Sequence, residues 1–110
     1  MILSQDKNIS IITQEKATII ELIKKMEALY PKFKNNNIIV NLTSLATIKS
    51  EEVVEFLQLS NMHRSTNQSF VIVSDKIVID DSLNDLIIVP TTQEAYDIIE
   101  MEDIERDLGL

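Results

Sequence analysis

Cysteine is absent from these 110 residues, so neither a disulfide framework nor a thiolate metal site is possible. Glycine is almost absent as well, Gly109 being the only one. Phosphate-cradling loops need glycines where backbone amides close on the anion, which excludes the P-loop and dinucleotide fingerprints. A single histidine, His63, in a chain without cysteine removes the His-rich zinc sites of hydrolases and nucleases. Its polar surroundings, Asn61 and the run from Arg64 to Ser69, place it at a solvated helix end with no orienting partner for proton transfer in view. Cations are in deficit. The formal charge of −8 opposes nucleic acid and anionic membranes, because both demand clustered positive charge. Long apolar runs are missing too: stretches such as Leu86 to Val89 cover a few residues where a bilayer needs roughly 20. The segment Met1 to Asp6 has no basic stretch leading into a long apolar one, so no secretory signal is expected. A cytoplasmic protein without metal, cofactor, nucleic-acid or membrane partners is the expectation.

What is present is the composition of a globular protein, 45% apolar and 25% charged, with enough chain for one core and too little for two. Charge is unevenly spread. Residues 1–34 hold six lysines against four acids, whereas residues 91–110 hold seven acids against Arg106 alone. A basic partner would be steered toward the carboxyl end, although a solvated helix face accounts for the same acids.

The elements follow from hydrophobic spacing. Met1 to Ser4 and Ile9 to Thr13, separated by the turn-like Gln5 to Asn8, predict a β-hairpin. From Glu15 to about Phe33, apolar residues at spacings of three and four predict a helix, ended by Pro31 and the run Asn35 to Asn37. Ile38, Ile39 and Val40 form a β-branched run that reads as a strand buried on both faces. A loop of small and hydroxylated residues follows, then an amphipathic helix with Ser50 as the expected N-cap and Val53, Phe56 and Leu57 inward. Glu51 and Glu52 suit the positive end of its dipole. Phe70 to Ser74 predicts a strand, Lys76 to Leu86 an extended piece and a short helical turn, and Leu86 to Val89 a last strand stopped by Pro90. Thr91 with Glu94 predicts a capping box opening a final helix, with Ala95, Ile98, Ile99, Met101 or Glu102, and Ile104 inward. Alternating strands and helices call for an α/β fold: a mixed sheet of four or five strands with an N-terminal β-hairpin and helices packed on it. Met26, Met62 and Met101 are expected to pack inward, and the acids Asp75, Asp80, Asp81 and Asp85 to serve turns, since a calcium loop wants other spacing and a glycine.

The segment from Asn37 to Leu57 resembles the centre of STAS domains, the family of bacterial anti-sigma factor antagonists. There, a strand ends in Asp-Leu-Ser and leads through apolar residues to Asp-Ser-Ser-Gly-Leu at a helix start, where a partner kinase phosphorylates the second serine. Here Asn41, Leu42 and Thr43 align with the strand end, Leu45 and Ile48 with the apolar positions, and Lys49, Ser50, Glu51, Glu52 and Val53 with the switch. Lys49 replaces the acid, Glu51 the phosphorylated serine and Glu52 the glycine. The order of elements coincides with the STAS order along nearly the whole chain.

The resemblance implies a non-catalytic regulatory protein-interaction module with an anti-sigma factor or similar regulator as partner. Its binding face would comprise Thr43, Ser44, Thr47, Lys49, Ser50, Glu51 and Glu52, with Glu55, Leu59 and Met62 on the outer side of the following helix. A phosphoserine carries about −1.5 to −2 at neutral pH, and Glu51 supplies a fixed −1 in its place. Alternatively, the hydroxyls of Thr43, Ser44, Thr47 and Ser50 would bind a small anionic ligand, or serve an enzyme, beyond the carboxyl ends of the strands. A third possibility is a structural subunit that self-associates through Leu59 and Met62.

Overall fold

The computed structural model describes residues 1–16 and 18–109. Strands β1 (Ile2–Asp6) and β2 (Ile9–Thr13) form the hairpin, antiparallel, with Asp6 opposite Ile9. Only Lys7 and Asn8 turn the chain, so Gln5 and Asp6, expected in the turn, belong to the strand. Lys7 takes φ 54°, the left-handed conformation that a two-residue hairpin turn requires. Helix α1 (Ile19–Leu29) starts at Thr18, whose hydroxyl accepts the Glu21 amide at 3.2 Å. That cap lies beyond Glu15, where apolar spacing alone would begin the helix; Ala17, between them, falls outside the described residues. A 3-10 turn, Tyr30–Lys32, closes α1 where Pro31 has no amide to give.

Strands β3 (Asn37–Asn41), β4 (Phe70–Val73) and β5 (Ile87–Val89) complete a mixed sheet in the order β1-β2-β3-β4-β5, with β2 to β5 parallel. Parallel crossovers are right-handed, and strands added always in one direction therefore keep their crossovers on one face. Accordingly α1 and the helical segments between β3 and β4 cover one side, over Ile12, Ile38, Val40, Phe70 and Ile72. The other side, with Ile9, Ile39, Val71, Val73 and Val89, is left to the helix after β5, α4 (Thr92–Asp107). One helix cannot span five strands. All five residues of β1 remain exposed.

The β3–β4 crossover is not one helix but α2 (Ser50–Val53), a 3-10 turn (Val54–Phe56) and α3 (Leu57–Arg64). Val53, Phe56 and Leu59, spaced by three, are all buried. A tightened turn suits that spacing, because residues three apart eclipse in a 3-10 helix. Between β4 and β5 a third 3-10 turn, Asp81–Leu83, seats Leu83 in the core, and Ile77 contributes a single parallel bridge to Ile48 instead of a strand.

Helix α4 departs from expectation. Thr91 caps it, its hydroxyl accepting the Glu94 amide at 3.2 Å, and Ala95 and Ile99 face the sheet. Of the alternatives Met101 and Glu102, it is Glu102 that turns inward, followed by Arg106; Met101 and Ile104, the latter expected inward, point to solvent. Glu102 accepts hydrogen bonds from Arg64 at 3.0 Å and from the Ser69 hydroxyl at 2.6 Å. Arg106 pairs with Asp103 and donates to Ser69 and to the Asn37 side-chain oxygen. Asn37 donates in turn to Asp103 at 3.3 Å and accepts the Ser69 amide at 2.8 Å. Partial burial raises the Glu102 carboxyl, but the hydrogen bonds of Arg64 and Ser69 and the charges of Arg64 and Arg106 prevail and leave it below the usual range. The same balance, with Arg106, Asn8 and Asn37 as donors, holds Asp103 down.

Candidate functional site

The loop after β3 lies at the carboxyl ends of the parallel strands. It is fixed at both ends by buried aliphatics, Leu42 and Ile48. At its start, the Asn41 side-chain oxygen accepts the Thr43 amide at 3.1 Å and the Thr43 hydroxyl at 2.8 Å. Lys76 crosses from the β4–β5 segment to donate to the Thr43 carbonyl at 2.8 Å, and its own carbonyl accepts the Ile48 amide at 3.1 Å. The loop is therefore a braced structure, and Ser44 and Thr47 are held outward on it.

Helix α2 begins one residue earlier than expected. Lys49 is the cap residue and Ser50 the first helical position. A lysine side chain cannot accept an amide hydrogen, so the first turn is secured from the other direction, the Glu52 carboxylate accepting the Lys49 amide at 3.4 Å. Ser50, expected as an accessible cap, is buried, and its hydroxyl is turned to Asp80. Hydrogen bonds from Ser82, from Ser50 and from the Ser82 amide hold the Asp80 carboxyl below its ordinary range. Asp80 thus caps the turn at Asp81–Leu83, as a turn acid should. A phosphate on Ser50 would meet Asp80 and Glu51 at once.

The remaining candidates divide. Lys49, Glu51, Glu52 and Glu55 are exposed, and Thr47, Lys49, Ser50, Glu51, Val78 and Asp80 line an open cleft of about 560 Å³. Leu59, expected on the outer side of the helix, is buried as the third member of the Val53, Phe56, Leu59 row. Met62, expected inward as a core methionine but on the outer side of the helix by the resemblance, is exposed and borders, with Glu55 and Glu27, a crevice of about 90 Å³ between α1 and α3. A self-association patch built on Leu59 and Met62 is reduced to Met62. The four hydroxyls do not converge: Thr43 is bonded to Asn41 and Ser50 is buried toward Asp80, while Ser44 and Thr47 are exposed.

His63 is the largest correction. Instead of a solvated surface residue it is fully enclosed. Its Nε2 lies 2.8 Å from the Asn36 carbonyl, which can only accept, so the proton sits there, and Nδ1 accepts from the Tyr30 hydroxyl at 2.7 Å. Burial pushes the ring's pKa down, against a smaller upward pull from the Asn36 carbonyl. The signal in the sequence is spacing, since His63 follows Phe56 and Leu59 on the inward stripe. No helix among the described residues is long and apolar enough to cross a membrane. Compared with known proteins, the chain matches no protein-family model and no curated protein.

Proposed function

We propose that the chain is a non-catalytic, regulatory protein-interaction module of the STAS type. It docks its partner through the loop at Thr43 to Lys49, the exposed acids Glu51, Glu52 and Glu55, and Met62. The observation that carries this reading is the placement of Glu51: exposed, in the first turn of the helix that the braced loop after β3 leads into. A carboxylate there presents a permanent negative charge where the STAS switch presents a phosphate, so docking depends on the supply of partner and not on a kinase. The partner class is the one the resemblance implies, an anti-sigma factor or similar regulator. Because rim charges govern encounter and register, the double charge reversal Glu51→Lys/Glu55→Lys is expected to weaken that complex about tenfold or more. It spares Glu52, which the helix start uses. Affinity purification with the native and reversed proteins checks this. Recovery of the same partners in the same amounts by both would refute it.

A second reading, a small anionic ligand or an enzyme at the same end of the sheet, has one observation in its favour. The Gln14 side chain, just past β2, is enclosed, and among the described residues neither its nitrogen nor its oxygen has a hydrogen-bond partner. Thermal shift against a metabolite panel separates the two readings, since only a ligand site gives a specific rise in Tm.

A further inference from the structure

The second half of α4 is built inside out. Its inward positions are the hydrogen-bonded Glu102 and Arg106, while Met101, Ile104 and Leu108 stand 55%, 52% and 68% exposed. At about 100° per residue those three fall in a sector about 60° wide, on the side of the helix away from Ala95, Ile99, Glu102 and Arg106. The stripe runs over about two turns. It is bordered by acids on both flanks, Glu105 on one and Glu100 with Asp107 on the other, all exposed. Single apolar side chains scattered over a surface are ordinary, but these three are contiguous, and they do not continue the core stripe.

We propose that this face of α4 is a docking surface for a basic amphipathic helix of a partner protein, separate from the loop and α2 on the opposite layer. Apolar side chains of the incoming helix would cover Met101, Ile104 and Leu108, and its lysines or arginines would face Glu100, Glu105 and Asp107. Charge selects the occupant. A second α4 packed on this stripe would bring its own Glu100, Glu105 and Asp107 against the same acids, and an anionic membrane would be repelled in the same way. A basic helix alone matches both the stripe and its borders.

The test uses a labelled helical peptide of about four turns with leucines at i, i+3 and i+7 flanked by lysines, and its counterpart with glutamates for lysines. Fluorescence anisotropy with the whole protein at low salt is expected to give saturable binding of the lysine peptide, at least about tenfold tighter than the glutamate peptide. Met101→Ser/Ile104→Ser should weaken it about tenfold or more, and Glu100→Lys/Glu105→Lys comparably, while Glu51→Lys on the other layer leaves it unchanged. All four substituted α4 side chains are exposed, so thermal melts should be unaltered; should one pair disturb folding, the other decides. Three results would overturn the proposal. They are no saturable binding below about 1 mM, equal affinity for native and both stripe variants, or a native dimer in sedimentation that Met101→Ser/Ile104→Ser splits into monomers.

Discussion

Replacing Phe56 with alanine is expected to cost about 3–5 kcal/mol, the usual penalty for deleting an enclosed phenyl ring and leaving a cavity. The ring is completely buried, lies 6.2 Å from that of Phe70 at 53°, and belongs to the turn joining α2 to α3. It ties the helices of the crossover to the centre of the sheet, with Val53 and Leu59 on either side. Native stability of a domain this size is about 5–15 kcal/mol, so the variant would lose about a fifth or more of what holds it folded. Urea titration followed by circular dichroism measures it as a fall in midpoint at unchanged slope. A loss below about 1 kcal/mol would mean that the ring is not enclosed as described.

The second large effect concerns His63. His63→Leu keeps the bulk of the ring but leaves the Asn36 carbonyl and the Tyr30 hydroxyl without their partner, and should cost about 2–3 kcal/mol. The same residue gives stability a pH dependence whose sign follows from burial. The folded protein holds the ring neutral, with its pKa below the ordinary value, while the unfolded chain takes up a proton near pH 6.5. Below that pH the unfolded state binds more protons, so acidification destabilises the fold by up to about 1.4 kcal/mol per pH unit, until the folded-state pKa is reached. His63 is the only histidine, so a slope between pH 7.5 and 5.5 belongs to it. In His63→Gln, whose amide also offers a donor and an acceptor, the slope should vanish in that window; a native protein without slope there would contradict the enclosed, neutral ring. A separate loss sets in below about pH 4. There Glu102 and Asp103, whose folded-state values lie below the ordinary ones, contribute stability present above the unfolded pKa and lost as pH falls.

Local pattern made the framework readable. Ile38 to Val40 could only be a strand covered on both sides, the three- and four-residue spacing of α1 could only be an amphipathic helix, and Thr91 with Glu94 marked where α4 begins. What could not be read depends on partners far along the chain. His63 looks solvated beside Arg64 and Ser65, yet it is satisfied by Asn36 and Tyr30, 27 and 33 positions away. Glu102 and Arg106 could turn inward because Arg64, Ser69 and Asn37 wait for them there, and Met101 and Ile104 were displaced outward as a result. The loop shows the same division. Its position past β3 and the exposure of Glu51 followed from residue types, whereas the burial of Ser50 depends on how the β4–β5 segment folds over the helix start, and Leu59 was drawn inward by a tightened turn that apolar spacing alone does not announce.

The strands stand side by side in the order in which they are made. A polypeptide leaving the ribosome can therefore widen its sheet one strand at a time, at about 5–20 residues per second, with no late segment threaded between two already joined. Among the described residues, α4 alone shields Ile39, Val71, Val73 and Val89 from behind. Until that helix clears the exit tunnel, the nascent protein carries a bare aliphatic wall, and its dependence on chaperones should be concentrated in the interval between the synthesis of β5 and the emergence of α4.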